Sequence, residues 1–242
     1  MDAVTLADAE VPASAALAYE AQEQLIDLID SPIVGWKVGA TGPASQTKLG
    51  VKTPIYGPVF QRTLIESGHD VPLSDFHHQP GLESEFAFTI GVTLRPGGAA
   101  MNARSAKEIV STVHTAIELV CSRFDRNFDV DPALLVADGA LHAALMVGPG
   151  KEPAEVRDLS THRLRTVVNN QEIATGTGQE VLGDPYESLA WLCNHLNRRQ
   201  LTLAAGSIVT TGAATGLHTT EVGQILTTDG GTLGSASLNL VA

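Results

Sequence analysis

The sequence predicts an α+β protein with a β-rich body, a short helical N-terminal part and two main helices. Segments that alternate apolar and polar residues, such as 82–92, are typical of half-buried strands. Fewer stretches repeat apolar residues at three- and four-residue spacing, which is typical of helices. The 242 residues also include 23 glycines, which suits many turns and close backbone approaches.

We expect residues 1–32 to form a short helical N-terminal segment and residues 33–242 to form a single functional unit. An imperfect apolar face predicts a helix over 15–30, which Pro32 and Gly35 would end.

Two further helices are predicted from periodicity and capping. Residues 104–120 carry apolar side chains at helical spacing. Residues 184–199 begin with Asp184 as the N-cap and Pro185 in the first turn.

Alternation and flanking turn residues predict the strands. An Asn169-Asn170 pair predicts a hairpin turn after the last of the central strands. The three predicted strands nearest the C terminus are SIVTTG, QILTTD and ASLNLVA. The earlier predicted strands are 33–40, 56–60, 82–92, 134–137, 141–147 and 164–169.

The segment GLESEFAF carries two acids whose spacing favours a joint role. Glu83 and Glu85 are two residues apart in a predicted strand, so their carboxylates share one face. Two such groups repel unless they are neutralised, and Mg²⁺ or Mn²⁺ would do so. The alternative is a solvated strand face. Glu118, near the end of the predicted 104–120 helix, is either a third oxygen ligand or an ion-pair partner of Arg123.

Lys37 and one histidine are further candidates. Lys37 is flanked by apolar residues and glycines, so it either extends to solvent or acts in a site on a carboxylate or a proton. Of the adjacent pair His77 and His78, at most one could serve as a base or ligand, because neighbouring residues of an extended chain point to opposite faces.

Composition excludes several function classes. A net charge of −12 and 5% aromatic residues argue against a nucleic-acid or anionic-membrane partner. The first residues lack the pattern of a secretory signal, and no apolar run is long enough to span a membrane. Cys121 and Cys193 have no metal-ligand spacing, so we expect reduced thiols and a cytoplasmic location.

Seven motifs in order resemble one known family, over roughly residue 33 to the C terminus. They are GWKVGAT, GVKTPIYGPVF, GLESEFAF, AIELVCSRF, VADGA, TGTGQEVLGDPYESLAWL and SIVTTGA. Together they resemble the 2-oxopent-4-enoate hydratase and 4-oxalocrotonate decarboxylase branch of the fumarylacetoacetate hydrolase superfamily. The resemblance implies a mixed β-sheet roll with the site at its mouth, and a homo-oligomer.

The resemblance also implies roles for particular residues. Glu83, Glu85 and Glu118 would hold Mg²⁺ or Mn²⁺, and Lys37 would be catalytic. A 2-oxo acid could then chelate the cation, which would stabilise charge on an enolate. Hydration of a 2-hydroxy-dienoate or 2-oxo-enoate from aromatic catabolism is the leading hypothesis.

Three alternatives stay open beside hydration. One is a decarboxylase of the 4-oxalocrotonate type. Another is an acylpyruvate-type C–C hydrolase, for which His78 is the possible base. The last is a weakly catalytic subunit that pairs with a related enzyme of the same pathway.

This chain departs from the family pattern in its expected substrate pocket. Ile55 stands where many relatives have an acid, while Gly139 and Leu141 replace an amide and a hydroxyl beside Asp138. These changes make the pocket more apolar. We therefore expect a bulkier or less polar 2-oxo acid or diketone than the standard hydratase substrate.

Overall fold

Two β-sheets form the body of the protein in a computed structural model that describes residues 4–5 and 10–242. The helices in this part of the chain are α1 (Ala15–Leu28), α2 (Pro43–Leu49), α3 (Ala103–Glu108), α4 (Pro132–Ala137) and α5 (Pro185–Arg198). The strands are β1 (Ile33–Gly39), β2 (Ile55–Phe60), β3 (Leu64–Ile65), β4 (Asp70–Pro72), β5 (Gly81–Ile90), β6 (Val110–Val120), β7 (His142–Val147), β8 (Arg163–Val168), β9 (Gln171–Thr177), β10 (Ile208–Thr219), β11 (Ile225–Asp229) and β12 (Ser235–Val241).

Both sheets are mixed, which confirms the predicted α+β class. The larger has seven strands in the order β2-β1-β10-β5-β6-β7-β3, and the smaller has five in the order β4-β12-β11-β8-β9. Strand pairs β1–β10, β3–β7 and β4–β12 are parallel, and the other pairs are antiparallel.

The two faces of β5 have different surroundings, as the alternation of apolar and polar residues predicts. Leu82 packs in a core between the sheets with Leu226 and Leu238 of the smaller sheet. Further along the same face, Phe86 and Phe88 pack in the core that includes α5. Burial of this apolar face fixes the register, so Glu83 and Glu85 necessarily project to the other side.

Helix α1 is fastened to the body through a buried amide. Gln22, 1% exposed, donates from Nε2 to the carbonyl oxygens of Tyr56 and Val136, at 3.0 and 2.6 Å. These bonds connect α1 to β2 and α4. The division of the chain at residue 32 stays a prediction.

Predicted helices and strands are mostly confirmed. Helices α1 and α5 form, and the Asp184 carboxylate accepts from the Tyr186 N–H at 2.8 Å. Strands β1, β2, β5, β7 and β8 lie where alternation placed them, and the three C-terminal strands also form. Asn169 and Asn170 have φ of 49° and 65°, as a tight hairpin turn requires.

The predicted helix over 104–120 is wrong, because only its first part is helical (α3) and the rest is strand β6. Residues 110–120 are rich in β-branched side chains, which favour strands. Strand β6 lies between β5 and β7 and is buried on both faces toward its end. Its apolar residues therefore recur at intervals that imitate the helical period.

The predicted strand over 134–137 is also wrong, because these residues belong to helix α4. Asp131 caps this helix by accepting from the Ala133 N–H at 2.8 Å, and Pro132 occupies the first helical position. Both are helix-start signals that outweigh a short apolar run. None of the described helices has the length and apolarity to cross a membrane.

Candidate metal centre and active site

Three glutamates meet on neighbouring strands at the centre of the larger sheet. Glu83 and Glu85 lie on β5, and Glu83 is directly paired with Glu118 on β6. One oxygen from each of the three carboxylates lies within 4.8 Å of the others. The position of Glu118 follows from strand pairing rather than from the end of a helix. The structure thus brings together the acids that the resemblance assigns to a metal.

Two of these glutamates each have one oxygen that accepts a hydrogen bond from the protein and one buried oxygen that accepts none. Glu85 Oε2 accepts from the Gly212 N–H at 2.8 Å, while Glu85 Oε1 is buried without a hydrogen bond. Glu118 Oε1 lies 2.8 Å from His142 Nδ1, while Glu118 Oε2 is buried without a hydrogen bond. Buried polar atoms normally find partners. These free oxygens therefore fit a hard divalent cation.

The pKa shifts of the three carboxyl groups support the same conclusion. Burial raises the pKa of Glu83 to about 7, although Lys37 opposes the shift. Burial also raises the pKa of Glu85 well above its ordinary value, and the charges of Glu118 and Glu83 raise it further. Burial would raise the pKa of Glu118 too, but Lys37 and His142 outweigh it and the net direction is down. A divalent cation would offset the cost of ionising all three.

Lys37 faces the glutamates and does not extend to solvent. It is 2% exposed, and its Nζ lies 3.6 Å from Glu118 Oε2. Gly39 leaves space for this ammonium group, because a Cβ there would be 3.1 Å from Nζ. A buried lysine beside a buried carboxylate is a group that can hold negative charge or move a proton.

A cavity of about 490 Å³ opens from this centre. Lys37 and Glu83 lie on its wall, as do Ile55 and Leu141 from the predicted substrate pocket. The remaining wall is largely apolar. Its apolar members include Ala40, Leu49, Val120, Phe128, Ala213 and Leu217, its hydroxyl-bearing members are Thr41, Ser45, Thr175 and Thr215, and Lys48 and Glu180 are charged.

The structure places Asp138 and Gly139 elsewhere. Both line a second cavity of about 450 Å³, on which Arg123 and His142 also lie. Asp138 forms an ion pair with Arg123, whose backbone N–H also donates to Asp138 Oδ2 at 3.2 Å. Arg123 is therefore the partner of Asp138 and not of Glu118.

His78 is held away from the glutamates. Its Nε2 lies 2.6 Å from the Phe124 carbonyl oxygen, and it is absent from the wall of the first cavity. Its role as a base stays a prediction that this geometry does not support.

Two residues of the site were not predicted from sequence, His142 and Gly212. His142 begins β7, and its side chain is 3% exposed. A histidine in the otherwise apolar run LHAALMV is the signal that could have marked it. Gly212 has a φ of 106°, which favours glycine, and a Cβ there would lie 2.2 Å from Thr41 Oγ1. It thereby brings its N–H to Glu85.

Comparisons with known proteins agree with this geometry. The family model described as fumarylacetoacetate (FAA) hydrolase C-terminal matches residues 37–237. A 2-keto-4-pentenoate hydratase of Burkholderia vietnamiensis is 34% identical over 206 residues, which cover 82% of this chain and 76% of the relative. A 4-oxalocrotonate decarboxylase of Pseudomonas sp. strain CF600 is 33% identical over 186 residues, which cover 76% of this chain and 68% of the relative.

A solved structure is similar over nearly the whole chain. It is a 4-oxalocrotonate decarboxylase from Pseudomonas putida G7, complexed with magnesium and adipate. It is 28% identical, with a TM-score of 0.90, and the match covers 99% of this chain and 91% of that chain. This match confirms the fold that the motif resemblance implied.

Proposed function

Because the chain belongs to the fumarylacetoacetate hydrolase family, we propose that it is a metal-dependent hydratase, a lyase that adds water to a 2-hydroxy-dienoate or 2-oxo-enoate in aromatic catabolism. The observation that carries the proposal is the cluster of Glu83, Glu85 and Glu118, in which one buried oxygen of Glu85 and one of Glu118 accept no hydrogen bond. The similarity to a 2-keto-4-pentenoate hydratase supports the choice of reaction.

The three glutamates would hold Mg²⁺ or Mn²⁺. When bound, such a cation supplies a Lewis acid that stabilises the negative charge of an enolate. Lys37, buried beside Glu118, would hold the substrate's carboxylate or transfer a proton to the enolate carbon. The walls of the 490 Å³ cavity would exclude bulk water from the remainder of the substrate.

The test follows the ultraviolet absorbance of 2-hydroxypenta-2,4-dienoate with and without Mg²⁺ or Mn²⁺, and analyses the product by mass. Metal-dependent loss of absorbance with gain of one water supports hydration. Glu83→Gln should abolish most metal binding and turnover. Unchanged metal affinity and turnover in this variant would contradict the proposal.

Decarboxylation is the second candidate, and the structural match to a 4-oxalocrotonate decarboxylase favours it. The same enolate stabilisation would serve loss of CO₂ from a 2-oxo-enedioate. Release of CO₂ from 4-oxalocrotonate, without conversion of the dienoate, would replace hydration by decarboxylation. Turnover of neither, with metal bound, would favour C–C cleavage or a weakly catalytic subunit that needs a partner enzyme.

We also propose a homo-oligomer that works in the cytoplasm. Cys121 and Cys193 are buried and unpaired, which suits a reducing compartment. Light scattering of the purified protein measures the oligomeric state, and a monomer at micromolar concentration would contradict this part of the proposal.

We infer that the substrate has an apolar far end. Ile55, Leu141 and Leu217 line the same cavity as Lys37 and Glu83. Leu141 is held there by a turn in which Gly139, Ala140 and Leu141 all have positive φ, of 77°, 57° and 70°. A leucine in this region is strained, and such strain is retained most often at functional sites. The charged members of the wall, Lys48 and Glu180, have opposite signs.

Two stable substrate analogues of equal length test this inference. With Mg²⁺ present, 2-oxohexanoate should bind at least about tenfold more tightly than 2-oxoadipate, because the second carboxylate would be desolvated against an apolar wall. Leu141→Ser should reduce this preference, and Lys48→Ala should not reduce it, because loss of a wall cation disfavours a second carboxylate. Equal or tighter binding of 2-oxoadipate by the wild-type protein would contradict an apolar far end.

A further inference from the structure

His142 is a buried side chain that contacts the candidate metal centre without belonging to it. Its side chain is 3% exposed, and both ring nitrogens have polar partners. Nδ1 lies 2.8 Å from Glu118 Oε1, and Nε2 lies 2.8 Å from Thr63 Oγ1. The ring is therefore fixed at both ends between β6 and the segment that precedes β3.

The contact with His142 makes the two Glu118 oxygens different. An ionised carboxylate only accepts hydrogen bonds, so His142 Nδ1–H is the donor to Oε1. The bond engages one lone pair of Oε1 and holds the carboxylate in one orientation, which leaves Oε2 as the oxygen without a hydrogen bond. Glu85 is arranged in the same way by the Gly212 N–H, which occupies Oε2 and leaves Oε1 free. Each of these carboxylates therefore presents a single oxygen to the centre.

One-oxygen ligands suit some cations better than others. Mg²⁺ is small and demands near-ideal octahedral coordination, in which a carboxylate contributes one oxygen. Ca²⁺ is larger, takes six to eight oxygens and readily accepts both oxygens of a carboxylate. Hydrogen bonds to a ligand from outside the coordination sphere commonly change metal affinity by about 10- to 100-fold.

We propose that His142 is a positioning residue that keeps Glu118 a one-oxygen ligand and thereby favours Mg²⁺ over Ca²⁺. This inference rests on the metal site of the proposed function and adds to it a determinant of metal choice. Both ring nitrogens of His142 contact protein groups, so the residue would act on a bound cation indirectly. It acts through Glu118, and Thr63 acts through His142.

The test measures the dissociation constants of Mg²⁺ and Ca²⁺ by calorimetry, which requires no turnover. In His142→Leu, Glu118 Oε1 is released and the carboxylate can turn both oxygens to a cation. Mg²⁺ affinity should fall about 10- to 100-fold, and Ca²⁺ affinity should fall much less. The ratio of Ca²⁺ to Mg²⁺ dissociation constants should therefore fall at least about tenfold.

Three further variants make the result specific. His142→Asn retains a donor near the position of Nδ1 and should restore most of the Mg²⁺ preference. Thr63→Val frees the far side of the ring and should reduce the preference by a smaller factor. The matched control is His114→Leu, because His114 lies on the neighbouring strand β6 and is likewise held at both ring nitrogens, by Thr89, Thr112 and Gly148.

The outcomes separate this inference from the proposed function. If the wild-type protein binds no divalent cation, both are overturned. If it binds Mg²⁺ and folded His142→Leu keeps the wild-type ratio of dissociation constants, only the role of His142 is overturned. If His142→Leu does not fold, Thr63→Val provides the test. An unchanged ratio of Ca²⁺ to Mg²⁺ dissociation constants in that variant also overturns the role of His142.

Discussion

Lys37 is a buried cation placed where a second cation is expected to bind. Its Nζ is 3.6 Å from Glu118 Oε2, the oxygen that is free to ligate a metal. Lysine and metal therefore share one carboxylate and repel each other. A lysine that served only to neutralise Glu118 would become redundant once the metal bound. Its presence at the cavity wall is better explained by contact with the substrate.

Replacing Lys37 separates metal binding from chemistry. In Lys37→Met we expect Mg²⁺ affinity to be retained or increased, because a repelling charge is removed. Turnover should fall by about 10²- to 10⁴-fold, the usual loss when a proton-transfer group is removed. Calorimetry and steady-state kinetics on the same preparation measure both quantities. A large loss of Mg²⁺ affinity would assign Lys37 to the metal centre instead.

Glu85 is the residue at which metal binding and metal-free stability should change in opposite directions. Glu85→Gln retains an acceptor for the Gly212 N–H but removes a carboxylate whose pKa burial and its neighbours raise. We expect Mg²⁺ affinity to fall at least about 100-fold. At pH 8 the metal-free Tm should rise or stay unchanged, since repulsion among the acids is relieved.

Thermal unfolding and calorimetry measure both effects. Glu172→Gln is the control, because Glu172 is an exposed acid whose partner is Arg165. Unchanged Mg²⁺ affinity in Glu85→Gln would remove Glu85 from the ligand set.

Residues of the site differed in how much of their role the sequence revealed. A period of two in a strand placed Glu83 and Glu85 on a common face, and the motif resemblance then indicated their metal role. Glu118 and Lys37 depended on the motif resemblance, since several roles fitted their local sequence. His142 was missed because its partner is 24 residues away in sequence, on a strand predicted as a helix. Only the pairing of β6 with β7 brings the two together.

At the scale of elements, each of the two incorrect predictions has its own physical origin. Strand β6 lies in the middle of the larger sheet, where both faces are covered, and so its sequence lacks simple alternation. Helix α4 is only six residues long, too short for periodicity to distinguish it from a strand. Long elements with one exposed face, such as α5, were predicted well.

The contact between β2 and the turn at residues 139–141 shapes the wall of the cavity beside Glu83. Gly57 on β2 is paired with Lys37, and a Cβ on Gly57 would lie 2.0 Å from the Gly139 carbonyl oxygen. Absence of a side chain at this position allows the turn to approach β2. The approach in turn sets Leu141 at the cavity wall.

Gly57→Ala should therefore destabilise the protein and alter substrate binding together. Displacing a backbone carbonyl should cost about 3 kcal/mol and lower Tm by about 10 °C. Affinity for 2-oxohexanoate should fall, while Mg²⁺ affinity is preserved because no glutamate moves. Gly98→Ala is the control, since its nearest non-neighbouring atom would be 3.9 Å away. A normal Tm for Gly57→Ala would contradict the tight contact.

At the scale of the whole molecule, the buried acids make metal-free folding less favourable as pH rises. Burial raises the pKa of Glu83 from 4.5 to about 7, so the native state retains a proton that the unfolded state has released. Between these values the native state binds more protons, and the free energy of unfolding falls with increasing pH. Glu118 acts in the opposite sense, but below its ordinary pKa of 4.5, because its pKa is lowered.

Metal binding should reverse the dependence of stability on pH, because the cation competes with protons for the same oxygens. Titration of Glu83 alone, with a pKa of about 7, should weaken Mg²⁺ binding about tenfold from pH 8 to pH 6. The rise in Tm caused by saturating Mg²⁺ should also be larger at pH 8 than at pH 6. Thermal unfolding with and without Mg²⁺ across this range measures both trends.

The difference between the wild-type protein and Glu83→Gln isolates the contribution of the site from that of other acids. Metal-free Tm of the variant should fall less steeply with pH, since the proton retained by Glu83 is no longer involved. Parallel pH profiles for the two proteins would show that Glu83 ionises normally in the metal-free protein and would contradict a raised pKa at this residue.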